Sequence, residues 1–286
     1  AVHRCAGRLL VDRRAAVAAA LTDQRAAFAT WGCGKTRPAH QPHITAMTTP
    51  ALPMGLVHDM PAEEYHATDA LSSSGIKHLL RSPLHYRADQ DSPSDESTAA
   101  MTMGTALHLA VLEPDLFEDG IAVVPSDAPR RPTVAQVSAA KPSAAAMKSI
   151  EFWSSFHARA AGRLVLTEEQ ASIVDAMGRS VRRHPVYQEF MLEGRRELSM
   201  FWHDARIGIP CRARFDILRD DGIAFDVKST RDASAEAFGR QAGSLAYHIQ
   251  SAYYNNAHEH LLNRSLQAFI FVAVENSPPY ACAVYV

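Results

Sequence analysis

The spacing of hydrophobic positions along this chain has a helical period in some stretches and a strand period in others. Apolar residues recur on one helix face within 167–183, which predicts an amphipathic helix; they are Ile173, Val174, Met177 and Val181. From Glu197 the pattern changes to short apolar runs bounded by turn residues, which is typical of strands. Helical spacing returns within 233–260. The predicted strands are 197–202, 209–218, 223–227, 266–274 and 280–286.

Serine and proline residues mark the ends of two further helices nearer the N-terminus. Ser72–Ser74 precede the apolar stretch Ile76–Leu80, which is typical of a helix N-cap, and Ser82–Pro83 ends that helix. Residues 102–112 have the pattern of a second helix, closed by Pro114. Two segments of polar or proline-rich composition are expected to be irregular: 89–97 and 125–142.

The order of these elements indicates a fold of the α/β class. Helices come first, then three strands, a helical segment and two last strands, which predicts a central mixed sheet flanked by helices. Residues 1–46 are rich in Ala, Arg and His and are interpreted as an N-terminal extension, with one domain over 47–286. No stretch reaches the roughly 18 apolar residues of a membrane helix, and no signal pattern begins the chain, so a cytoplasmic protein without a membrane partner is expected.

Charge and cysteine content argue against some classes of site but do not identify the site that is present. The formal net charge is -2, so the chain as a whole lacks the basic signature of many nucleic-acid-binding proteins. None of the four cysteines lies in a Cys-x-x-Cys pair, which disfavours a zinc ribbon and a disulfide framework; they are Cys5, Cys33, Cys211 and Cys282.

The candidate chemistry lies in the predicted hairpin 214–230. Asp226 and Lys228 are two apart on a strand, so their side chains share one face. A three-residue loop ending in Gly222 would pair the strands so that Asp216 falls directly opposite Asp226. Two opposed carboxylates repel each other, and a divalent cation between them would remove that conflict.

A lone Asp-x-Lys triplet on a strand usually consists of two solvated charges. The opposed Asp216 is what favours a functional interpretation of this triplet. Two acidic ligands and a neighbouring lysine suit the metal-dependent hydrolysis of a phosphodiester, with Lys228 orienting or helping to deprotonate a water, or stabilising charge on the phosphate.

Several motifs in order along the chain resemble the RecB-like branch of the PD-(D/E)XK nucleases, and most closely the exonuclease VIII (RecE-type) group of phages and prophages. The resemblance runs from about Met54 to Val286. Its motifs are Leu71–Pro83, Gly104–His108, Glu197, Asp216, Asp226-Val227-Lys228 and Gln250-x-x-x-Tyr254.

The resemblance implies a PD-(D/E)XK (restriction-endonuclease-like) core and a role for each motif residue. His108, Asp216, Asp226 and the backbone carbonyl of Val227 would hold Mg²⁺ or Mn²⁺. Lys228 would assist the attacking water, and Gln250 and Tyr254 would support the site or the scissile strand. Glu197 matches an acidic position of the family, although a surface glutamate would look the same in sequence.

The same resemblance implies a substrate and partners. We expect an exonuclease that degrades one strand of linear double-stranded DNA from a free end, in the 5′-to-3′ direction, and that supports DNA recombination. Relatives form homo-oligomeric rings and work with a RecT-type single-strand annealing protein. Members of the group continue into a C-terminal helical segment beyond the last strand, which this sequence does not contain.

Two alternatives stay open at the level of sequence. One is another RecB-like nuclease that carries an iron–sulfur cluster, although the spacing of the four cysteines does not fit that pattern. The other is a non-catalytic DNA-binding or scaffold protein built on a decayed nuclease fold, against which the intact motif residues argue.

Overall fold

A computed structural model describes residues 52–91 and 98–286 of the chain. The predicted extension 1–46 and its boundary near Met47 lie outside these residues. The described helices are α1 Ala62–Ala67, α2 Ser73–Arg81, α3 Pro83–Asp91, α4 Ala99–Leu112, α5 Phe117–Gly120, α6 Val134–Val137, α7 Ala144–Arg159, α8 Glu168–Arg183, α9 Ala235–Ser244 and α10 Tyr247–Leu262. The described strands are β1 Gly55–Val57, β2 Ile121–Val124, β3 Leu164–Thr167, β4 Arg195–Asp204, β5 Ile209–Leu218, β6 Ile223–Thr230, β7 Ala268–Glu275 and β8 Cys282–Tyr285.

Six strands form a central mixed sheet in the order β1-β4-β5-β6-β7-β8. All neighbouring pairs in it are antiparallel except β6 and β7, which run parallel because the α9–α10 segment carries the chain back across the sheet. The predicted α/β class, with a central mixed sheet flanked by helices, is confirmed.

The tight turn between β5 and β6 has the predicted register. The Arg219 amide donates to the carbonyl of Ile223 at 3.0 Å, and Gly222 has a φ of +86°, the left-handed conformation that a glycine adopts at least cost. Phe225 and Val227 are buried, as expected for the core-facing side of β6.

Helices cover both faces of the sheet with apolar side chains. On one face α4 and α8 pack against Ile217, Phe225 and Val227. On the other face α2 and α10 pack against a second group of buried side chains, which belong to β4 and β5: Leu198, Met200, Trp202, Cys211, Ala213 and Phe215. The metal-site candidates lie between these two cores, because they come from β4, β5, β6 and the helices on both sides.

Residues 121–167 contain elements that the sequence pattern did not predict. β2 and β3 pair in parallel as a separate two-stranded sheet, and α7 packs Trp153 and Phe156 against Ala122. The expected irregular excursion over 125–142 is confirmed except for the single turn α6, which Thr133 caps.

The polar segment expected as a loop over 89–97 is helical at its start, since α3 continues to Asp91. Ser82 ends α2, and its hydroxyl accepts the amide of His85 at 3.2 Å and so begins α3. Proline suits this place because the first turn of a helix needs no amide donor there. None of the described helices combines the length and apolar character needed to cross a membrane.

Candidate metal centre

The central sheet is interrupted at Asp216, near the end of β5. The β4–β5 ladder pairs Arg196 with Ile217 and Leu198 with Phe215 but skips the pair between them. The β5–β6 ladder ends at Ile217 and Phe225, one step before Asp216 would face Asp226. Instead, the amide of Val227 donates to the Asp216 side chain, Oδ2, at 2.7 Å. The carboxylate therefore replaces a backbone acceptor and is held rigidly at the break.

This interruption aligns three carboxylates across three neighbouring strands. The registers on either side of the break place Glu197 opposite Asp216, and Asp216 opposite Asp226. Glu197 has a φ of +48°, a left-handed conformation that costs energy for a residue with a side chain. Strain and like charges at one place in a sheet destabilise the fold, so this arrangement is typical of a functional site.

His108 reaches the same place from α4 on the neighbouring face. Its Nε2 lies 3.0 Å from the carbonyl oxygen of Val227 and 3.5 Å from Asp216 Oδ2. Leu107 and Val111 on α4 are fully buried against the sheet, which fixes the helix and aims His108 at the interruption. The predicted juxtaposition of His108, Asp216 and Val227 is present in the structure.

His108, Glu197 and Asp216 each offer a ligand atom, and these atoms lie within 4.8 Å of one another. An imidazole nitrogen and two carboxylate oxygens, with the Val227 carbonyl beside them, are donors that divalent cations such as Mg²⁺ and Mn²⁺ accept. The residues present therefore fit a divalent cation. The described cysteines, Cys211 and Cys282, are free and take no part in this group.

Asp226 lies next to this group but faces other partners. Its Oδ1 accepts a hydrogen bond of 2.6 Å from Gln250 Nε2, and its Oδ2 forms an ion pair with Lys228. The ion pair confirms that Asp226 and Lys228 share one face of β6. Whether Asp226 also ligates a cation stays a prediction. The sequence was equally compatible with an exposed Glu197, but the structure places Glu197 beside His108 and Asp216.

Glu197 and Asp226 hold their protons more tightly than ordinary carboxyl groups. Burial, followed by repulsion from Asp216, raises the pKa of Glu197 to about 7, and burial likewise raises the pKa of Asp226. For His108, burial lowers the pKa, but the charges of Asp216, Asp226 and Glu197 more than offset it, so the pKa is raised. An added cation would relieve this excess of negative charge.

Lys228 remains a cation in this surrounding. Burial lowers the pKa of its ammonium group, but Asp226 and then Asp216 raise it by more, so the net shift is upward. In this arrangement Lys228 can stabilise negative charge on a bound phosphate and can orient a water, because both need only its N–H donors.

Gln250 and Tyr254 occupy one face of α10, as their spacing predicts, but their contacts differ. Gln250 contacts the site directly through Asp226. The ring of Tyr254 packs edge-on against Phe215, with 4.8 Å between centroids, and against Phe269. Tyr254 thus packs against Phe215, the chain neighbour of Asp216, and its role in supporting the site stays a prediction. Tyr253 is a core residue, with its ring on Trp202 and its hydroxyl donating to the Leu71 carbonyl.

Sequence reasoning missed Arg214, which holds Glu197 in place. Its guanidinium forms an ion pair of 3.6 Å with Glu197 and donates to Ser199 Oγ at 2.9 Å. The same group lies 4.5 Å from the ring centroid of Tyr65 on α1. A signal was available in the sequence, since Arg214 precedes Asp216 by two on one strand, but the partner Glu197 cannot be read from that spacing.

Comparisons with known proteins bear on the family and the fold of this chain. A family model described as a PDDEXK-like domain of unknown function (DUF3799) matches residues 72–286. Among solved structures, the chain is similar to a protein from Eubacterium rectale that carries the provisional description of exonuclease. That likeness has a TM-score of 0.51 and 15% identity, and it covers 80% of this chain and 78% of the other. No curated protein sequence matches the chain.

The predicted PD-(D/E)XK core is confirmed by these comparisons. At 15% identity the likeness to the solved structure shows the fold alone. The narrower resemblance to the exonuclease VIII group stays a prediction.

Proposed function

Because the chain belongs to the PDDEXK-like family DUF3799, we propose that it is a metal-dependent deoxyribonuclease that hydrolyses phosphodiester bonds. One observation carries this proposal. The ligand atoms of His108, Glu197 and Asp216 converge at the point where the sheet is interrupted, and the ion pair of Asp226 with Lys228 lies beside them.

His108, Glu197, Asp216 and the Val227 carbonyl would hold Mg²⁺ or Mn²⁺, with Asp226 as a further candidate ligand. When bound, such a cation supplies Lewis acidity to a phosphate oxygen and lowers the pKa of a bound water. Both effects would favour hydrolysis, in which a water oxygen forms a new bond to phosphorus, one P–O ester bond breaks, and the leaving oxygen ends as an alcohol with a proton that came from the water.

The chain's own residues position the reacting groups. Lys228 keeps its proton and presents a positive charge to the phosphate, which gains negative charge as the water attacks. Asp226 holds Lys228, and Gln250 holds Asp226 through the 2.6 Å hydrogen bond. Arg214 on β5 holds Glu197 on β4 through their ion pair. These three contacts keep the site in one geometry before substrate arrives.

The finer parts of the proposal rest on the motif resemblance. We propose that the enzyme is an exonuclease that degrades one strand of linear double-stranded DNA in the 5′-to-3′ direction during recombination. A homo-oligomeric ring and a RecT-type annealing partner belong to the same proposal. A solution mass equal to one chain by light scattering, with DNA present, would contradict the ring.

The test is digestion of linear duplex DNA labelled at either the 5′ or the 3′ end. We expect loss of DNA with Mg²⁺ or Mn²⁺, no loss with EDTA, and no loss with Lys228→Ala or His108→Ala variants. Early release of labelled mononucleotide from the 5′ label alone would support the proposed polarity. No digestion by a folded wild-type protein with either metal would overturn the nuclease.

Covalently closed circular duplex DNA of the same sequence is the matched control substrate. An exonuclease leaves it intact because it offers no end. Cleavage of the circle would keep the nuclease and contradict the requirement for a free end.

A further inference from the structure

A second lysine, Lys77 on α2, lies beside the candidate metal centre. Its Nζ is 5.7 Å from the ring centroid of Tyr247, and the Nζ of Lys228 is 5.3 Å from the same centroid. One aromatic ring therefore bears the ammonium groups of both lysines. Cation–π contacts at such distances stabilise a positive charge, so the Tyr247 ring holds two cations at the edge of the site.

The two lysines differ in how their charges are balanced. The positive charge of Lys228 is balanced by its ion pair with Asp226. Lys77 forms no ion pair with any carboxylate in the described part of the chain. Its side chain is half-buried, and burial, followed by the nearby charge of Lys228, lowers its pKa by more than the charge of Asp226 raises it. A half-buried cation without a carboxylate partner, close to a like charge, is stabilised by any anion that reaches it.

The backbone that carries Lys77 is held firmly in place. Leu71 pairs with the start of β5, since its amide donates to Pro210 and its carbonyl accepts from Arg212. Ser72 then caps α2 by accepting the amide of Gly75 at 3.2 Å. A side chain at Gly75 would meet Leu71 at 3.0 Å, so the first turn of α2 lies close against Leu71. Lys77 therefore extends from a fixed helix and not from a mobile loop.

The ring beneath the two lysines is also fixed. Tyr247 stacks on Phe271 of β7, with 5.2 Å between centroids, and its hydroxyl accepts from Gln241 Nε2 at 3.2 Å. A rigid ring keeps both ammonium groups on the side of the molecule where the metal centre lies. A site prepared in this way loses little freedom when a ligand binds.

We propose that Lys77 binds a phosphate group of the DNA strand that is cut at the metal centre. This inference rests on the proposed nuclease function and adds a substrate-binding residue to it. The ammonium group is a compact point charge suited to a phosphate, and phosphate is the anion that a nucleic acid presents along its whole length. Lys228 would contact the scissile phosphate, and Lys77 a neighbouring one on the same strand.

Salt-dependent binding tests this inference independently of cleavage. The wild type, Lys77→Gln and Lys77→Arg are compared for affinity to a duplex end with Ca²⁺ in place of Mg²⁺. Each phosphate contact contributes about 0.9 to the slope of log affinity against log salt for a duplex, and about 0.7 for a single strand. We expect Lys77→Gln to lose a slope of that size and Lys77→Arg to keep it.

The same slope predicts how the defect varies with salt. The ratio of wild-type to Lys77→Gln affinity should be about 3.5-fold larger at 50 mM than at 200 mM salt if one duplex phosphate contact is lost. Lys148→Gln, at an exposed position of α7, is the matched control, and we expect its slope to equal that of the wild type. Equal melting temperatures would show that Lys77→Gln is folded.

The phosphate can come from the backbone or from the strand end, and two substrates separate these sources. If Lys77 contacts a backbone phosphodiester, the loss of slope is the same for duplexes with a 5′-phosphate and a 5′-hydroxyl. If it contacts a terminal phosphate, the loss disappears with the 5′-hydroxyl. Either result supports the inference.

An unchanged slope for Lys77→Gln on both substrates, or the same loss in Lys148→Gln, would overturn the assignment of Lys77. If the wild type still cuts DNA, the proposed function stands and only the assignment of Lys77 falls. A wild type that neither binds nor cuts DNA would overturn the proposed function first, and the assignment of Lys77 with it.

Discussion

Replacing Glu197 by glutamine should stabilise the protein and remove its response to divalent metal. Glu197 is three-quarters buried, with 26% of its side chain exposed, and its pKa rises from 4.5 to about 7 in the fold. A raised carboxyl pKa means that ionisation opposes folding. This cost is absent below the unfolded-state pKa of about 4.5, grows between that value and about 7, and is complete above it.

The size of the effect follows from the shift. Each unit of pKa difference corresponds to about 1.4 kcal/mol, so ionised Glu197 destabilises the protein by at most about 3 kcal/mol at pH 8. For a domain of this size, 1 kcal/mol moves the melting temperature by roughly 2–4 °C. In EDTA at pH 8, Glu197→Gln should therefore melt up to about 10 °C above the wild type, and this difference should shrink towards pH 5.

Metal should offset most of this difference in stability between the two proteins. A cation that binds only the folded state stabilises it by about 2.7 kcal/mol at one hundred times its dissociation constant. We expect Mn²⁺ at pH 8 to raise the melting temperature of the wild type and to leave Glu197→Gln nearly unchanged. The assay is thermal melting over pH 5–8 with EDTA or Mn²⁺, and Glu151→Gln, at an exposed position of α7, is the control.

Two results would refute this reasoning. If Glu197→Gln is no more stable than the wild type at pH 8 in EDTA, the side chain does not carry the electrostatic cost that its position implies. If Mn²⁺ stabilises both proteins equally, Glu197 is not part of the metal-binding group.

Three further predictions follow from the same contacts. His108→Ala removes a nitrogen donor next to Asp216 and Val227; we expect at least about a 100-fold weaker affinity for Mn²⁺ by titration calorimetry with an unchanged fold, and an unchanged affinity would exclude His108 as a ligand. Lys228→Ala leaves Asp226 buried without its cation and should lower the free energy of unfolding, measured with denaturant, by about 3–5 kcal/mol. The double variant Lys228→Ala/Asp226→Asn should regain most of that stability but none of the activity. Equal stability of the single and double variants would contradict the buried pair. Gly222→Val forces a β-branched side chain to a φ of +86° and should lower the free energy of unfolding by about 1–3 kcal/mol, whereas a neutral result would show that the turn can change its conformation.

The hydrophobic pattern predicted the local structure well wherever one element supplied its own signal. The helical spacing over 167–183 matches α8, Glu168–Arg183, and the Asp220–Gly222 turn has the predicted register. The pattern predicted less where packing against residues distant in the sequence determines the local structure. α7 has no strong stripe of its own and buries Trp153 against β2, and Pro83 both follows one helix and starts the next.

The candidate site divides in the same way between sequence and structure. Strand alternation alone placed Asp226 and Lys228 on one face, and hairpin register alone brought Asp216 towards Asp226, because both depend on neighbours in the chain. The motif resemblance singled out His108, Glu197 and Gln250 without showing what each one contacts.

Only the tertiary structure decided which of these residues meet. His108 and Val227 are 119 positions apart, and their contact depends on how α4 packs on the sheet. The ion pair of Glu197 with Arg214 and the two lysines on Tyr247 join segments that no local period relates. The left-handed backbone conformation of Glu197 within β4 has no signal in the sequence pattern either. A sequence period records which side of one element faces the core, whereas the distances at a site depend on how several elements pack together.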